Sequence, residues 1–279
     1  MKKKLTLFLM VVLMLPLVAL FGCDEVSSFG VTVYTSSSSY GYSTGSGTYN
    51  DGSTVTLTAT AKTGGKFVGW IFQNTTLLED GDTFSIETSE DQTRSTLTFI
   101  MSANTQGYYT AAFDSNNSST ESRMTYVKLS SYRVATEDAF TANPAGTTDT
   151  ETAPDLLSAN LSIAQGASSS NLTNVLTLDN ATLKDNVIYT AENINQVLYL
   201  SSYNSRYVRM QFVGRVGTDT FNKDLRAELD FQTNFPETEN ANYTSSVNYS
   251  RTDGIYTITF SFENNNQTFY VVLNYENLK

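Results

Sequence analysis

Two carboxylates near the C-terminus, Glu228 and Asp230, are spaced for acid–base chemistry. Residues two apart on a β-strand project from the same face of the sheet, and glycoside hydrolysis uses two carboxylates roughly 5 to 9 Å apart. The same face would also carry Arg226 and, from the neighbouring strand, Arg209. Because pairing of opposite charges across strands explains all four side chains, we predict that the protein has no catalytic residue and is not an enzyme.

A second group of side chains is rich in oxygen and could bind calcium. It consists of Asp179, Asn180, Asp185 and Asn186. The spacing matches no EF-hand loop, and Asp and Asn are ordinary turn residues, so we interpret both Asp-Asn pairs as turns. The sequence contains no histidine, which removes the usual zinc ligand and general base. We therefore predict no metal site.

The 17 tyrosines indicate a third kind of site, an aromatic platform for a glycan or protein ligand. The tyrosines nearest to loops or polar strand faces in the C-terminal half are Tyr203, Tyr207, Tyr243 and Tyr249. Tyrosine is also favoured in strands for its packing alone. These four residues are therefore the candidates for binding, with strand packing as the alternative explanation.

The single cysteine, Cys23, follows a segment typical of an export signal. Basic residues Lys2–Lys4 precede the apolar run Leu5–Phe21, which is too short for a good spanning helix. The Leu-Phe-Gly-Cys sequence that ends at Cys23 resembles the lipobox of bacterial lipoproteins. This resemblance implies cleavage before Cys23, a covalent lipid with palmitate-type acyl chains that is joined to the Cys23 sulfur by a thioether, and no other cofactor. An uncleaved N-terminal anchor is the alternative.

Both alternatives place the chain on the extracytoplasmic face of the cell membrane, and at the cell surface where no outer membrane exists. In a cell with an outer membrane, Asp24 resembles a signal for retention at the inner membrane. The net charge is −11, and cleavage would make it more negative because it removes the three lysines of the signal segment. Because such an acidic body repels phosphate backbones, a nucleic-acid partner is excluded. Acyl chains, rather than charge, would provide the membrane contact.

Hydrophobic alternation with a period of two predicts strands between residues 31 and 113. The predicted strands are Val31–Tyr34, Thr54–Ala61, Phe67–Phe72, Thr83–Thr88, Thr96–Met101 and Tyr108–Phe113. Residues 36–46, rich in Ser, Gly and Tyr, are interpreted as a loop. The only tryptophan, Trp70, could stack on a ligand, but in so small a unit one large aromatic residue usually fills the core.

The same segment carries the motifs of a known family. A Gly-Thr-Tyr-Asn-Asp-Gly turn at 47–52 leads into Val-Thr-Leu-Thr-Ala at 55–59, and Phe-Val-Gly-Trp follows at 67–70. Together with Ala-Ala-Phe at 111–113, these segments resemble the internalin B-type repeat of bacterial surface proteins. Ser102 stands where that family often has proline, which indicates a divergent copy. The resemblance implies a small β-grasp-like module, of a kind that often serves as a spacer.

The second half of the chain is predicted to be a separate antiparallel domain. Alternating patterns at Thr125–Val134, Tyr207–Arg215 and 256–262 predict strands with one buried face, and the last five or six strands are expected to form a meander. Residues 155–164 could be a short helix or a strand, and residues 136–155 are predicted to be irregular. The domain is expected to be a β-sandwich or an open barrel.

These observations predict an all-β protein with five segments. They are a signal peptide (1–22), an acylated tether (23–30), the repeat module (31–113), a linker (114–123) and a C-terminal β-sandwich-like domain (124–279). We predict a binding, adhesion or envelope-scaffold role, with the module as a spacer and the C-terminal domain as the ligand binder. An extracellular glycan-directed enzyme and an accessory subunit of an envelope complex are the alternatives.

Overall fold

The computed structural model of the protein describes seven stretches of the chain. They are residues 26–116, 124–201, 206–216, 219–229, 241–244, 247–252 and 254–278. Within these stretches the chain forms 20 strands and one short helix, which confirms the all-β prediction. No helix in the described part is both long and apolar enough to cross a membrane.

Nine strands build the N-terminal unit as two packed sheets. They are β1 (Ser28–Thr35), β2 (Gly41–Thr44), β3 (Gly47–Asn50), β4 (Thr54–Ala61), β5 (Gly65–Phe72), β6 (Thr76–Leu77), β7 (Phe84–Thr88), β8 (Arg94–Ile100) and β9 (Gly107–Ser115). One sheet, which we call the docking sheet, has the order β3-β1-β9-β5-β6, and the other has the order β2-β4-β8-β7. Strands β1 and β9 are parallel neighbours, so the unit begins and ends in the same sheet.

The core of the N-terminal unit lies between these two sheets. The alternation predicted for β4 is present, since Val55, Leu57 and Ala59 are fully buried. Trp70 is 1% exposed, and its indole N–H donates a hydrogen bond of 3.1 Å to the Ser95 hydroxyl. The interpretation of Trp70 as a core residue is therefore confirmed.

Three details of this unit differ from the sequence-based expectation, and the first is that residues 47–50, expected to be part of a turn, form strand β3. The loop predicted for residues 36–46 contains β2, because Gly41 lets the strand run directly over the ring of Phe113; a Cβ atom at Gly41 would lie 2.4 Å from that ring. Strand β9 also continues through Asp114 and Ser115, which pair with β5 although their polar sequence is typical of a linker.

Eleven strands and the helix build the C-terminal unit. They are β10 (Met124–Thr136), α1 (Glu137–Ala142), β11 (Asp155–Ser168), β12 (Asn171–Lys184), β13 (Tyr189–Thr190), β14 (Val197–Ser201), β15 (Arg206–Val216), β16 (Asp219–Leu229), β17 (Ala241–Thr244), β18 (Val247–Thr252), β19 (Ile255–Asn264) and β20 (Gln267–Asn277). A large sheet has the order β13-β10-β20-β19-β18-β17, with β14 also paired to β10. A small sheet has the order β12-β11-β15-β16.

The two C-terminal sheets enclose one apolar core. Leu161, Ile163 and Phe212 from the small sheet are fully buried, as are Ile258 and Phe260 from the large sheet. This arrangement agrees with the expected sandwich or open barrel. The last strands do not form a single meander, however, because β15 and β16 belong to the small sheet, while β17 to β20 run consecutively through the large one.

Two segments of this unit had no definite helix or strand prediction, namely residues 155–164 and residues 136–155, and both contain regular secondary structure. Residues 155–164 form part of strand β11. Helix α1 lies inside the region predicted to be irregular, and the side chain of Thr136 caps its N-terminus by accepting a hydrogen bond from the Ala139 amide. Glu137 and Asp138 in the first turn also favour a helix start. The capping threonine followed by two acidic residues is a helix-start pattern that is visible in the sequence.

The two units are docked against each other through the docking sheet. Ile71 and Ala112 project from its outer face and pack with Val197 and Leu278 of the C-terminal unit. Beside them, the Val197 amide donates to the carbonyl of Thr75 at 2.7 Å, and the Leu77 amide donates to the carbonyl of Asn195 at 2.6 Å. Backbone pairing therefore continues from β6 into the start of β14.

Candidate functional site

A groove of about 700 Å3 lies where the two units meet. Tyr34 of β1 and Thr110 of β9 belong to the wall contributed by the docking sheet. Tyr126 of β10, Gln165 of β11 and Tyr199 of β14 belong to the wall contributed by the C-terminal unit. The volume falls within the range of about 300 to 1,000 Å3 that is usual for small-molecule sites. We call this region the interface groove.

Gln165 is a buried polar residue of the interface groove. It continues the inward-facing row of Leu161 and Ile163, because it lies opposite Val208 just as Ile163 lies opposite Met210. The residue is 4% exposed, and no described residue forms a hydrogen bond with its Nε2 or Oε1 atom. An unsatisfied buried polar group costs about 1–3 kcal/mol, a cost that hydrogen bonds from a ligand would remove.

Two tyrosines and an arginine pack together on the C-terminal wall. The ring centroids of Tyr126 and Tyr199 are 4.7 Å apart, and the guanidinium carbon of Arg206 lies 5.7 Å from the centroid of the Tyr199 ring. Burial lowers the pKa of Arg206, but an arginine keeps its charge in proteins. Burial also raises the pKa values of both phenols. At neutral pH the wall therefore presents one cation beside two uncharged rings.

The wall contributed by the docking sheet is aromatic and polar. The ring of Tyr34 is 5.9 Å from that of Tyr108, and each of these residues is 49% exposed. Nearby, the Thr110 hydroxyl donates to the side-chain oxygen of Asn74 at 3.1 Å. The exposed ring of Tyr34 offers a flat apolar face to the groove, and the amide and hydroxyl groups offer donors and acceptors.

The structure places the predicted tyrosines in different environments. Tyr203 lies outside the described residues, and so does the side chain of Tyr243. Tyr249 is 5% exposed and packs in the C-terminal core, so its ring offers no surface for stacking. Tyr207 is partly exposed and donates to Glu228 Oε1 at 3.3 Å. Neither Tyr207 nor Tyr249 lines the interface groove.

Of the two carboxylates with acid–base spacing, the structure describes Glu228. Asp230 lies outside the described residues. Arg209 forms two hydrogen bonds with Asp224, at 2.9 and 2.6 Å, and these lower the pKa of the Asp224 carboxyl. Charge pairing across strands is therefore present, although the acid that pairs with Arg209 is Asp224 and not Glu228. The charge of Glu228 instead raises the pKa of Tyr207.

Two of the four residues considered for calcium, Asp185 and Asn186, have other partners. Asp185 accepts hydrogen bonds from the Thr136 amide at 2.9 Å and from its hydroxyl at 2.7 Å. The Asn186 side chain accepts a hydrogen bond from buried Arg133. Asn180 is not in a turn, because it forms a positive-φ irregularity inside β12. Among the described residues, no group of three or more His, Cys, Asp or Glu side chains could hold a metal ion.

Gln165, Arg206, Tyr126 and Tyr199 are absent from the sequence-based candidates. The available signal was a glutamine continuing the alternation of Leu161 and Ile163 into a buried position. The groove also depends on the docking of two units. Hydrophobic patterns within single strands do not predict this docking. Cys23, the proposed lipid acceptor, lies outside the described residues.

Comparison with known proteins identifies one segment of the chain. Residues 31–117 match the family model of the divergent InlB B-repeat domain, which confirms the resemblance of the N-terminal unit to internalin B-type repeats. No curated protein matches the chain, and no solved structure matches it. The match covers the unit that contributes the docking sheet, so one wall of the interface groove is built by the repeat domain.

Proposed function

We propose that the protein is a lipid-anchored binding protein on the extracytoplasmic face of a bacterial cell membrane. In this proposal Cys23 carries the lipid, and the interface groove holds a saccharide. The repeat module is more than a spacer, because its docking sheet supplies one wall of the groove. The proposed role is binding or adhesion, without catalysis.

One observation carries this proposal, namely the buried amide of Gln165 in the wall of the groove. A protein gains no stability from a buried amide that lacks partners, so its presence is better explained by a ligand. An amide provides both donors and an acceptor, and flanking tyrosine rings present flat faces with polar edges. This combination suits the hydroxyl groups and apolar ring faces of a sugar.

The lipid anchor predicts a loss of membrane association when Cys23 is replaced by serine. Each buried methylene of an acyl chain contributes about 0.8 kcal/mol to membrane binding, and serine cannot form the thioether. In bacteria fed a labelled fatty acid, we expect the label and the detergent-phase partition of the wild-type protein to be lost in Cys23→Ser. An equally labelled Cys23→Ser protein would contradict the assignment.

The groove predicts that Gln165→Leu separates stability from binding. Leucine removes both unsatisfied polar groups, so we expect the free energy of unfolding to stay unchanged or to rise by about 1–2 kcal/mol. The same change should weaken binding to a panel of immobilised oligosaccharides by about tenfold, since one ligand hydrogen-bond set is lost. Urea unfolding and surface plasmon resonance provide the two measurements.

Gln211→Leu is the matched control for this experiment. Gln211 lies in the same small sheet and is exposed, so its replacement should change neither stability nor binding by a measurable amount. A Gln165→Leu protein that is strongly destabilised and binds saccharides as wild type would show that the amide is structural. A wild-type protein that binds no saccharide at all would refute the proposed function.

A further inference from the structure

The charge of the interface groove points to a more specific ligand. Of the described residues that line it, Arg206 is the one with a charged side chain, and none is an aspartate or glutamate. The whole chain carries 28 acidic and 17 basic residues. The described lining, which has a cation and no acid, is therefore unlike the average surface of this protein.

We infer that the interface groove selects a saccharide that carries a carboxylate, with Arg206 as the residue that recognises the carboxylate. This inference rests on the proposed function, since it names the class of saccharide for the same groove. A guanidinium fork matches a carboxylate with two parallel hydrogen bonds. The partly buried position of Arg206 makes such a pair stronger than it would be in open water.

The aromatic environment of Arg206 supports this role. Its guanidinium lies over the ring of Tyr199, which in turn packs on Tyr126. A guanidinium held over a ring is oriented by that ring, and the ring face shields it from water on one side. The packed group of Arg206, Tyr199 and Tyr126 therefore presents a charge at a fixed place beside the sugar-binding surface.

The number of charges indicates a single carboxylate per binding unit. A densely sulfated or phosphorylated polymer needs several cations in register, because each ligand charge must be offset. The described lining supplies one, within a protein whose net charge is −11. A uronate-type or sialate-type sugar places one charge among several hydroxyl groups. Gln165 and the amide of Gln196, which also lines the groove, suit those hydroxyl groups.

The test compares each acidic oligosaccharide with its own neutral form. Uronate and sialate oligosaccharides are paired with their methyl esters, which keep the ring and remove the charge. We expect the full chain to bind at least one acid about 10–100-fold more tightly than its ester, the effect of a hydrogen bond to a charged group. Raising the salt concentration should weaken binding of the acid and leave binding of the ester unchanged.

Variants of Arg206 identify the residue responsible. Arg206→Gln should remove the preference of the groove for the acid, so that the acid and its ester bind alike, and Arg206→Lys should retain part of the preference because it keeps the charge without the fork. Arg251→Gln is the control, since Arg251 also lies over a tyrosine ring at 5.7 Å, that of Tyr256, but lies outside the groove lining. Circular dichroism checks that each variant is folded.

The outcomes separate this inference from the proposed function. Equal or tighter binding of the esters would overturn the carboxylate preference and leave a saccharide-binding groove in place. An acid preference that survives Arg206→Gln would overturn the role of Arg206. Binding to an acidic peptide, with no binding to any saccharide, would overturn both.

Discussion

Replacing Trp70 with alanine should lower the free energy of unfolding by about 3–5 kcal/mol, the usual cost of removing a fully buried large aromatic side chain. Trp70 is 1% exposed, and its ring packs 5.6 Å from that of Phe67. The change would leave a cavity between the two sheets of the N-terminal unit and remove the donor to Ser95. Urea unfolding followed by far-ultraviolet circular dichroism measures the effect, since the variant has no tryptophan.

Two further variants separate packing from hydrogen bonding at this position. Trp70→Phe keeps a ring and loses the N–H donor, so it should cost clearly less than Trp70→Ala. Tyr42→Ala removes an aromatic residue of the same unit that is 50% exposed, and it should change stability by less than about 0.5 kcal/mol. If Trp70→Ala proved as stable as Tyr42→Ala, the core assignment of Trp70 would be wrong.

The strands that were predicted well are those with one buried face. In β4 and β19 each second side chain enters a core, so the hydrophobic pattern alone reports the strand. Strand β11 was ambiguous from its sequence, because Ser, Ala and Asn interrupt the apolar positions at Leu161 and Ile163. Tertiary packing decided between helix and strand there, through pairing with β12 and β15.

Errors occurred where one residue type has two structural uses. Asparagine tolerates positive φ both in turns and in strand irregularities, so Asn180 in β12 and Asn186 in a turn look alike in the sequence. Serine and glycine are similarly ambiguous around β2. In that strand the ring of Phe113 requires Gly41, a contact between residues far apart in the chain.

The candidate site was the least predictable part, since it arises from contact between two units. Tyr34 belongs to the repeat module, and Tyr126 and Gln165 belong to the C-terminal unit. No local pattern reports that these residues meet. The partial exception is the Phe-Val-Gly-Trp motif, in which a Cβ atom at Gly69 would lie 2.8 Å from the Leu77 side chain. That glycine allows β6 to pack closely against β5, next to the interface.

Docking of the two units predicts a second large effect, for Ile71→Asp. Ile71 is fully buried, in a cluster with Ala112, Val197 and Leu278. A carboxylate placed there without a partner costs on the order of 3–5 kcal/mol. Because Ile71 projects away from the Trp70 core, the N-terminal unit can avoid this cost by separating from the C-terminal unit. We therefore expect loss of docking, with both units still folded.

Two optical signals distinguish loss of docking from unfolding. The only tryptophan is Trp70, so fluorescence reports on the N-terminal unit, while circular dichroism reports on all strands. In the wild-type protein the two urea transitions should coincide, since docking couples the units. In Ile71→Asp they should diverge, and saccharide binding by the interface groove should fall at least tenfold because one wall is lost.

Ile100→Asp serves as the control for this change. Ile100 belongs to the same unit and is 55% exposed, so an added charge there stays in water and should leave the coincident transitions and the binding unchanged. Coincident transitions in Ile71→Asp, at the wild-type urea midpoint, would show that the cluster around Ile71 does not couple the units. Divergent transitions with full binding would instead show that the C-terminal wall holds the ligand alone.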